Sequence, residues 1–78
     1  MNFNIYRTEL PNLGKIHIFI AEDRAPVRAH WGTKVDTIDV PTAWDAAQIY
    51  LKKAGLKLPP NGMTTPETGV YAIEIDKK

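Results

Sequence analysis

His17 and His30 are the only two histidines in this 78-residue chain. Imidazole is the side chain that changes charge near neutral pH and the one that most often ligates metals. A site with two histidines needs a third ligand from Asp, Glu or Cys. The spacing places no carboxylate beside them, so neither a metal nor a cofactor is expected. Asp36 and Asp39 are the remaining pair of interest, because paired carboxylates perform general acid–base work when a shared cleft splits their pKa values. Three residues apart on an extended chain, however, they point to opposite faces. Serine and cysteine are both absent, and no glycine-rich phosphate loop follows a strand. The inventory argues for a protein that is not an enzyme.

Composition narrows the classes further. Ten basic and nine acidic residues leave a formal charge of +1, whereas a dedicated nucleic-acid binder gathers a basic excess on one face. Without cysteine the fold has neither disulfides nor thiolate metal sites to staple it. The opening Met1-Asn2-Phe3-Asn4-Ile5-Tyr6-Arg7 has no apolar run of the signal-peptide kind, and no segment approaches the roughly 20 apolar residues of a membrane span. A cytoplasmic protein with no membrane partner is the expectation. Apolar residues make up 44% of the chain and include Trp31, Trp44 and three tyrosines, enough for one packed domain over 1–78. At this length only about 60% of the unfolded surface is buried, so stability should be marginal.

The elements that must position these side chains are organised around Ile16-His17-Ile18-Phe19-Ile20. Three isoleucines at alternate positions put three β-branched groups on one face of a strand over Lys15 to Glu22. Phe3 and Ile5 alternate with Asn4 and Tyr6 in a first strand over about residues 2 to 8. Pro11-Asn12-Leu13-Gly14 is turn chemistry. Asp23 to Pro26 reads as a four-residue hairpin connection, and Val27, Ala29 and Trp31 read as a third strand on the isoleucine parity. That register sets Glu22 opposite Val27, Ile20 opposite Ala29, Ile18 opposite Trp31 and Phe19 opposite His30. Residues 35 to 40 are β-branched but irregular, giving a short fourth strand.

Thr42 and Asp45 mark a helix start, with the Thr42 side chain accepting from the Asp45 amide and the Asp45 carboxylate reaching back. The helix runs to Ala54 and stops at Gly55, with Lys52 and Lys53 in its last turn. Ala43, Ala46, Ala47, Tyr50, Leu51 and Ala54 share an apolar arc, and Ile49 falls outside it. Residues 56 to 69 form a long connection, which reads either as a functional projection or, through Leu56, Leu58 and Met63, as a strap over the core. Val70 to Asp76 closes the chain as a strand, with Tyr71, Ile73 and Ile75 inward. The expected class is α+β: one largely antiparallel sheet of four to five strands with one helix on one face, in the order β-β-β-(β)-α-β.

If the helix covers the isoleucines, the opposite sheet face carries Tyr6, His17, Phe19, Arg28 and His30. Aromatic and basic side chains on an open sheet are how several RNA-binding folds stack bases. They are equally the anchors of protein interfaces. Near-neutral charge favours the protein partner, because phosphate neutralisation supplies most of the affinity for nucleic acid. These five residues are the candidate partner-binding site, and a second copy of the chain is a further candidate partner.

After the opening Met1-Asn2-Phe3 and Tyr6, the stretch from Ile16-His17-Ile18-Phe19-Ile20-Ala21-Glu22 to Val27-Arg28-Ala29 resembles small phage-encoded anti-CRISPR proteins. That resemblance implies a compact α+β inhibitor that occludes a protein of a bacterial defence effector complex without chemistry, working in the host cytoplasm. The region from Thr42-Ala43-Trp44-Asp45-Ala46-Ala47 through Gly55-Leu56-Lys57-Leu58-Pro59-Pro60 to Tyr71-Ala72-Ile73-Glu74-Ile75 is similar to HicB-type antitoxins. In those a helix, a proline-bearing loop and a last strand follow in this order. The Pro- and Gly-rich loop that precedes the helix in that family is missing here. Both resemblances imply a small inhibitor acting by binding. The competing expectation is a nucleic-acid-binding accessory protein that uses the open sheet.

Overall fold

The computed structural model describes residues 1–60 and 62–76. In chain order it has β1 (Asn2–Leu10), β2 (Lys15–Glu22), β3 (Thr33–Asp39), α1 (Ala43–Ala54), β4 (Thr64–Glu67) and β5 (Val70–Asp76), with 3₁₀ turns at Pro11–Leu13 and Ala29–Trp31. The strands make one antiparallel sheet in the spatial order β3-β1-β2-β5-β4. The helix lies on one face of it. This is the expected α+β class.

β2 is central because both its edges and one of its faces are covered by apolar neighbours. The Pro11–Leu13 turn, closed by Gly14 at φ 63°, returns the chain so that Ile5 lies opposite Ile20 and Arg7 opposite Ile18. On the other side Ile16, Ile18 and Ile20 face Ile75, Ile73 and Tyr71. The isoleucine face is completed by Phe3, Ile5 and Ile38, and α1 lays Ala43, Ala46, Ala47, Tyr50 and Leu51 on it. The alanines let the helix approach closely.

The helix begins and ends where its sequence dictates, although among the described residues only the Thr42 half of the expected reciprocal cap is formed. The Thr42 hydroxyl accepts from the Asp45 amide at 3.2 Å, and Gly55, left-handed at φ 73°, donates its amide to the carbonyls of Leu51 and Lys52. Arg7 Nη1 donates to the Tyr50 hydroxyl at 3.2 Å, tying the end of the helix to β1. Ile49 is exposed, as its place off the apolar arc implies. Leu56, Leu58 and Met63 pack against the core as the strap.

Three expectations about individual elements are corrected. Val27 to Trp31 is not a strand: residues 23–32 form a loop ending in the Ala29–Trp31 3₁₀ turn. The physical reason is competition for edges. β2 has two, and β1 and β5, each with several inward apolar residues, occupy both. The anticipated pairings of Ile20 with Ala29, Ile18 with Trp31 and Phe19 with His30 are therefore absent. The fourth strand begins at Thr33 and pairs with β1, with a register shift between the partners of Ile5 and Tyr6. The connection over 56–69 contains a strand of its own, β4, which pairs with β5 at the sheet's far margin.

Candidate functional site

Strand alternation turns Tyr6, His17, Phe19, Ala21, Val70, Ala72 and Glu74 to the face away from the helix. The loop over 23–32 closes one half of this face. It leaves β2 through a turn in which the Ala25 amide donates to the Glu22 carbonyl at 2.9 Å. It then reaches the sheet margin, where Arg28 grips Glu67 of β4, with Nη2 to Oε1 at 2.6 Å and Nε to both carboxylate oxygens at 3.2 Å. From there it returns across the sheet to β3.

Trp31, 0% exposed, is the plug that seats the loop. Its ring stacks on Phe19 at 5.9 Å between centroids and 19° between planes, and meets Tyr6 at 5.1 Å. With Ala21 and Val70 these rings form a second buried cluster. Among the described residues the indole N–H in that cluster has no hydrogen-bond partner, a cost set against the burial of a large ring. Gly32, at φ 83°, follows the plug where a Cβ would collide with the Thr8 hydroxyl and the Arg7 carbonyl. Only glycine lets the chain pass so close to β1.

The other half of the face stays open as a groove of about 530 Å³, within the usual range of ligand pockets. Lys15, His17 and Phe19 of β2 and Ala72, Glu74 and Asp76 of β5 floor it, and Pro59 and Pro66 stand at its side. One carboxylate organises the floor: Glu74 accepts from Lys15 Nζ at 2.6 Å through Oε1 and pairs with His17 Nε2 at 2.8 Å through Oε2. His17 and His30 both meet the Phe19 ring edge-on, at 6.2 and 5.4 Å.

The charges are matched within the chain. Arg28 holds the Glu67 carboxyl below its ordinary value of 4.5, and Lys15, then His17, do the same for Glu74. A group with a lowered folded-state pKa adds stability above its unfolded value, and that stability is lost as pH falls through the lowered one. The Arg28–Glu67 contact should therefore loosen below about pH 4.5. The protection of the amides over residues 24–31, meaning their slowing relative to a free amide at the same pH, should fall in that window when followed from pH 6 to 3. In Glu67→Gln that protection should be lower at pH 6 already and should lose most of its pH dependence. A loop whose exchange ignores both changes would show that the contact does not hold it.

The five sequence-predicted site residues are thus brought together, but not as one open patch. Tyr6 and Phe19 are buried against Trp31, so neither is an open anchor although Phe19 still borders the groove, and Phe19→Ala becomes a change of core. His17 lies half-buried in the groove, while Arg28 and His30 sit exposed on the loop. Sequence reasoning missed Lys15, Glu67 and Glu74 as members of the same surface. For Glu74 the signal was available, since its outward parity on the last strand matches that of His17. For Glu67 there was none.

Among the described residues no group of three or more His, Cys, Asp or Glu side chains is gathered as a metal site. Asp36 and Asp39 engage different partners, Lys53 and the chain's amino terminus. No helix among the described residues is long and apolar enough to cross a membrane. Comparison with family models, with curated proteins and with solved structures finds no match to this chain.

Proposed function

We propose that this protein is a small non-enzymatic inhibitor that binds and occludes a partner protein. We place it with the phage- or mobile-element-encoded anti-defence proteins that its first thirty residues resemble. The observation that carries this reading is the divided sheet face. A groove and an exposed loop stand side by side, while the aromatic rings that would stack bases are buried by the protein's own tryptophan. Single-stranded nucleic acid needs exposed rings and uncommitted cations. Here Tyr6 and Phe19 are covered, and Arg28 and Lys15 are each bonded to a glutamate. A mixed-charge groove beside apolar walls suits the polar rim and apolar centre of a protein interface.

The test is affinity capture from a nuclease-treated bacterial lysate, followed by titration of the captured protein at increasing salt. A shallow dependence of log affinity on log salt is expected, and a steep one would transfer the reading to nucleic acid. With that partner in hand, His17→Ala and His30→Ala should each weaken binding by more than about 1 kcal/mol, roughly fivefold, with the unfolding midpoint unchanged. Two unaltered affinities would remove this face from the interface.

A further inference from the structure

The two margins of the sheet are closed to a further strand by different means. β4 is only four residues long and carries Pro66, which has no amide to donate. β3 is longer, seven residues, and among the described residues no strand lies on its outer side. Whatever protects it must lie within the strand and its surroundings.

The hydrogen bonds of β3 show what that is. The Val40 amide donates inward to the Met1 carbonyl at 3.0 Å. Successive residues of a strand direct their amides to opposite sides, so the amides of Asp39 and Thr37 face outward. The Thr37 amide is already taken, because Asp36 Oδ1 accepts it at 2.8 Å. The other oxygen, Oδ2, accepts from Lys53 Nζ in the last turn of α1 at 3.0 Å. Lys53 and the Thr37 amide together hold the Asp36 carboxyl below its ordinary range. Beside Asp36 the register of β3 slips, and Val35, exposed, has no partner on β1. A bulge and a local carboxylate cap are both devices that spoil an edge for pairing.

We propose that Asp36, positioned by Lys53, is a guard that keeps the outer edge of β3 from pairing with the same edge of a second copy of this chain. A second copy is the natural occupant, because two identical antiparallel edges satisfy each other's donors and acceptors across a two-fold axis. Such a pairing would continue the sheet through both molecules with the helices on one face. In the guarded state the Thr37 amide is satisfied within its own chain, and two Asp36 carboxylates would meet as like charges near the axis. This inference stands apart from the groove and from the identity of its partner.

The experiment compares wild type, Asp36→Ala, Asp36→Asn and Lys53→Ala by sedimentation and light scattering over a wide concentration range, with amide exchange at Thr37. Wild type should be monomeric, with Thr37 protected to the same degree at every concentration. Asp36→Ala should self-associate, its Thr37 amide exchanging fast when dilute and slowly when concentrated. Asp36→Asn keeps an oxygen that can accept the amide and should stay monomeric, with Lys53→Ala in between. A folded Asp36→Ala that remains monomeric at the highest concentration would overturn the proposal. So would a wild type whose Thr37 protection grows with concentration. Should Asp36→Ala fail to fold, wild-type exchange decides: a Thr37 amide as fast as a free one overturns the guard, and a protected one upholds it.

Discussion

Trp31→Ala is expected to lower stability by about 3 to 5 kcal/mol, the usual cost of removing a large buried ring. A chain of this length has about 4 to 12 kcal/mol in total, so the loss is a large share of it, and at the lower end of that range much of the population should unfold near body temperature. The cost is high because Trp31 is the single fully buried side chain of the loop over 23–32. Without it Tyr6 and Phe19 lose their cover and the Arg28–Glu67 contact is left to hold the loop. An exposed ion pair can tune local opening of the loop but cannot replace the buried ring. Trp31→Phe separates ring packing from the unpartnered indole N–H, whose burial costs about 1 to 3 kcal/mol. It deletes that donor while keeping a ring, so its loss should be well below that of alanine. Urea unfolding gives both numbers, and near-UV circular dichroism reports whether the aromatic cluster survives. An Ala variant that unfolds at the wild-type midpoint would mean the loop is an ornament on an independently stable sheet.

Ile18→Ala should cost about 2 to 5 kcal/mol by the same physics applied to the opposite face. Ile18 is 0% exposed at the middle of β2, with Arg7 and Ile73 as its cross-strand neighbours. It belongs to the core cluster completed by Tyr50 and Leu51 of α1. With about 4 to 8 °C of midpoint lost per kcal/mol in a domain of this size, thermal unfolding resolves the change easily. The two substitutions should be distinguishable by what they spare. Trp31→Ala removes the aromatic near-UV signal first, whereas Ile18→Ala loosens the helix while Trp31 remains stacked on Phe19. An unchanged melting curve for Ile18→Ala would be incompatible with the helix packing on the isoleucine face.

Local chemistry made most of the elements readable in advance. Alternation over Ile16 to Ile20 places three side chains on one face whatever lies around them, and the strand spans Lys15–Glu22 as its sequence implies. Thr42 and Gly55 bound the helix because their caps involve only neighbours within a turn. Ile73 and Ile75 lie inward for the same reason of parity. The second face was not readable in this way. Val27, Ala29 and Trp31 alternate like a strand, but alternation does not say which strand edge is vacant. That question is settled by competition among segments far apart in the chain: β5 takes the outer edge of β2, and the loop is left to turn over the sheet. One 3₁₀ turn then carries Trp31 to the face opposite the one its parity suggested. Glu67 and Arg28, 39 residues apart, and Lys15 and Glu74, 59 apart, meet only because that strand order brings their strands and loop together. Side-chain direction along a strand follows from local covalent geometry, whereas the covering of a sheet face follows from which long-range pairings bury the most apolar surface.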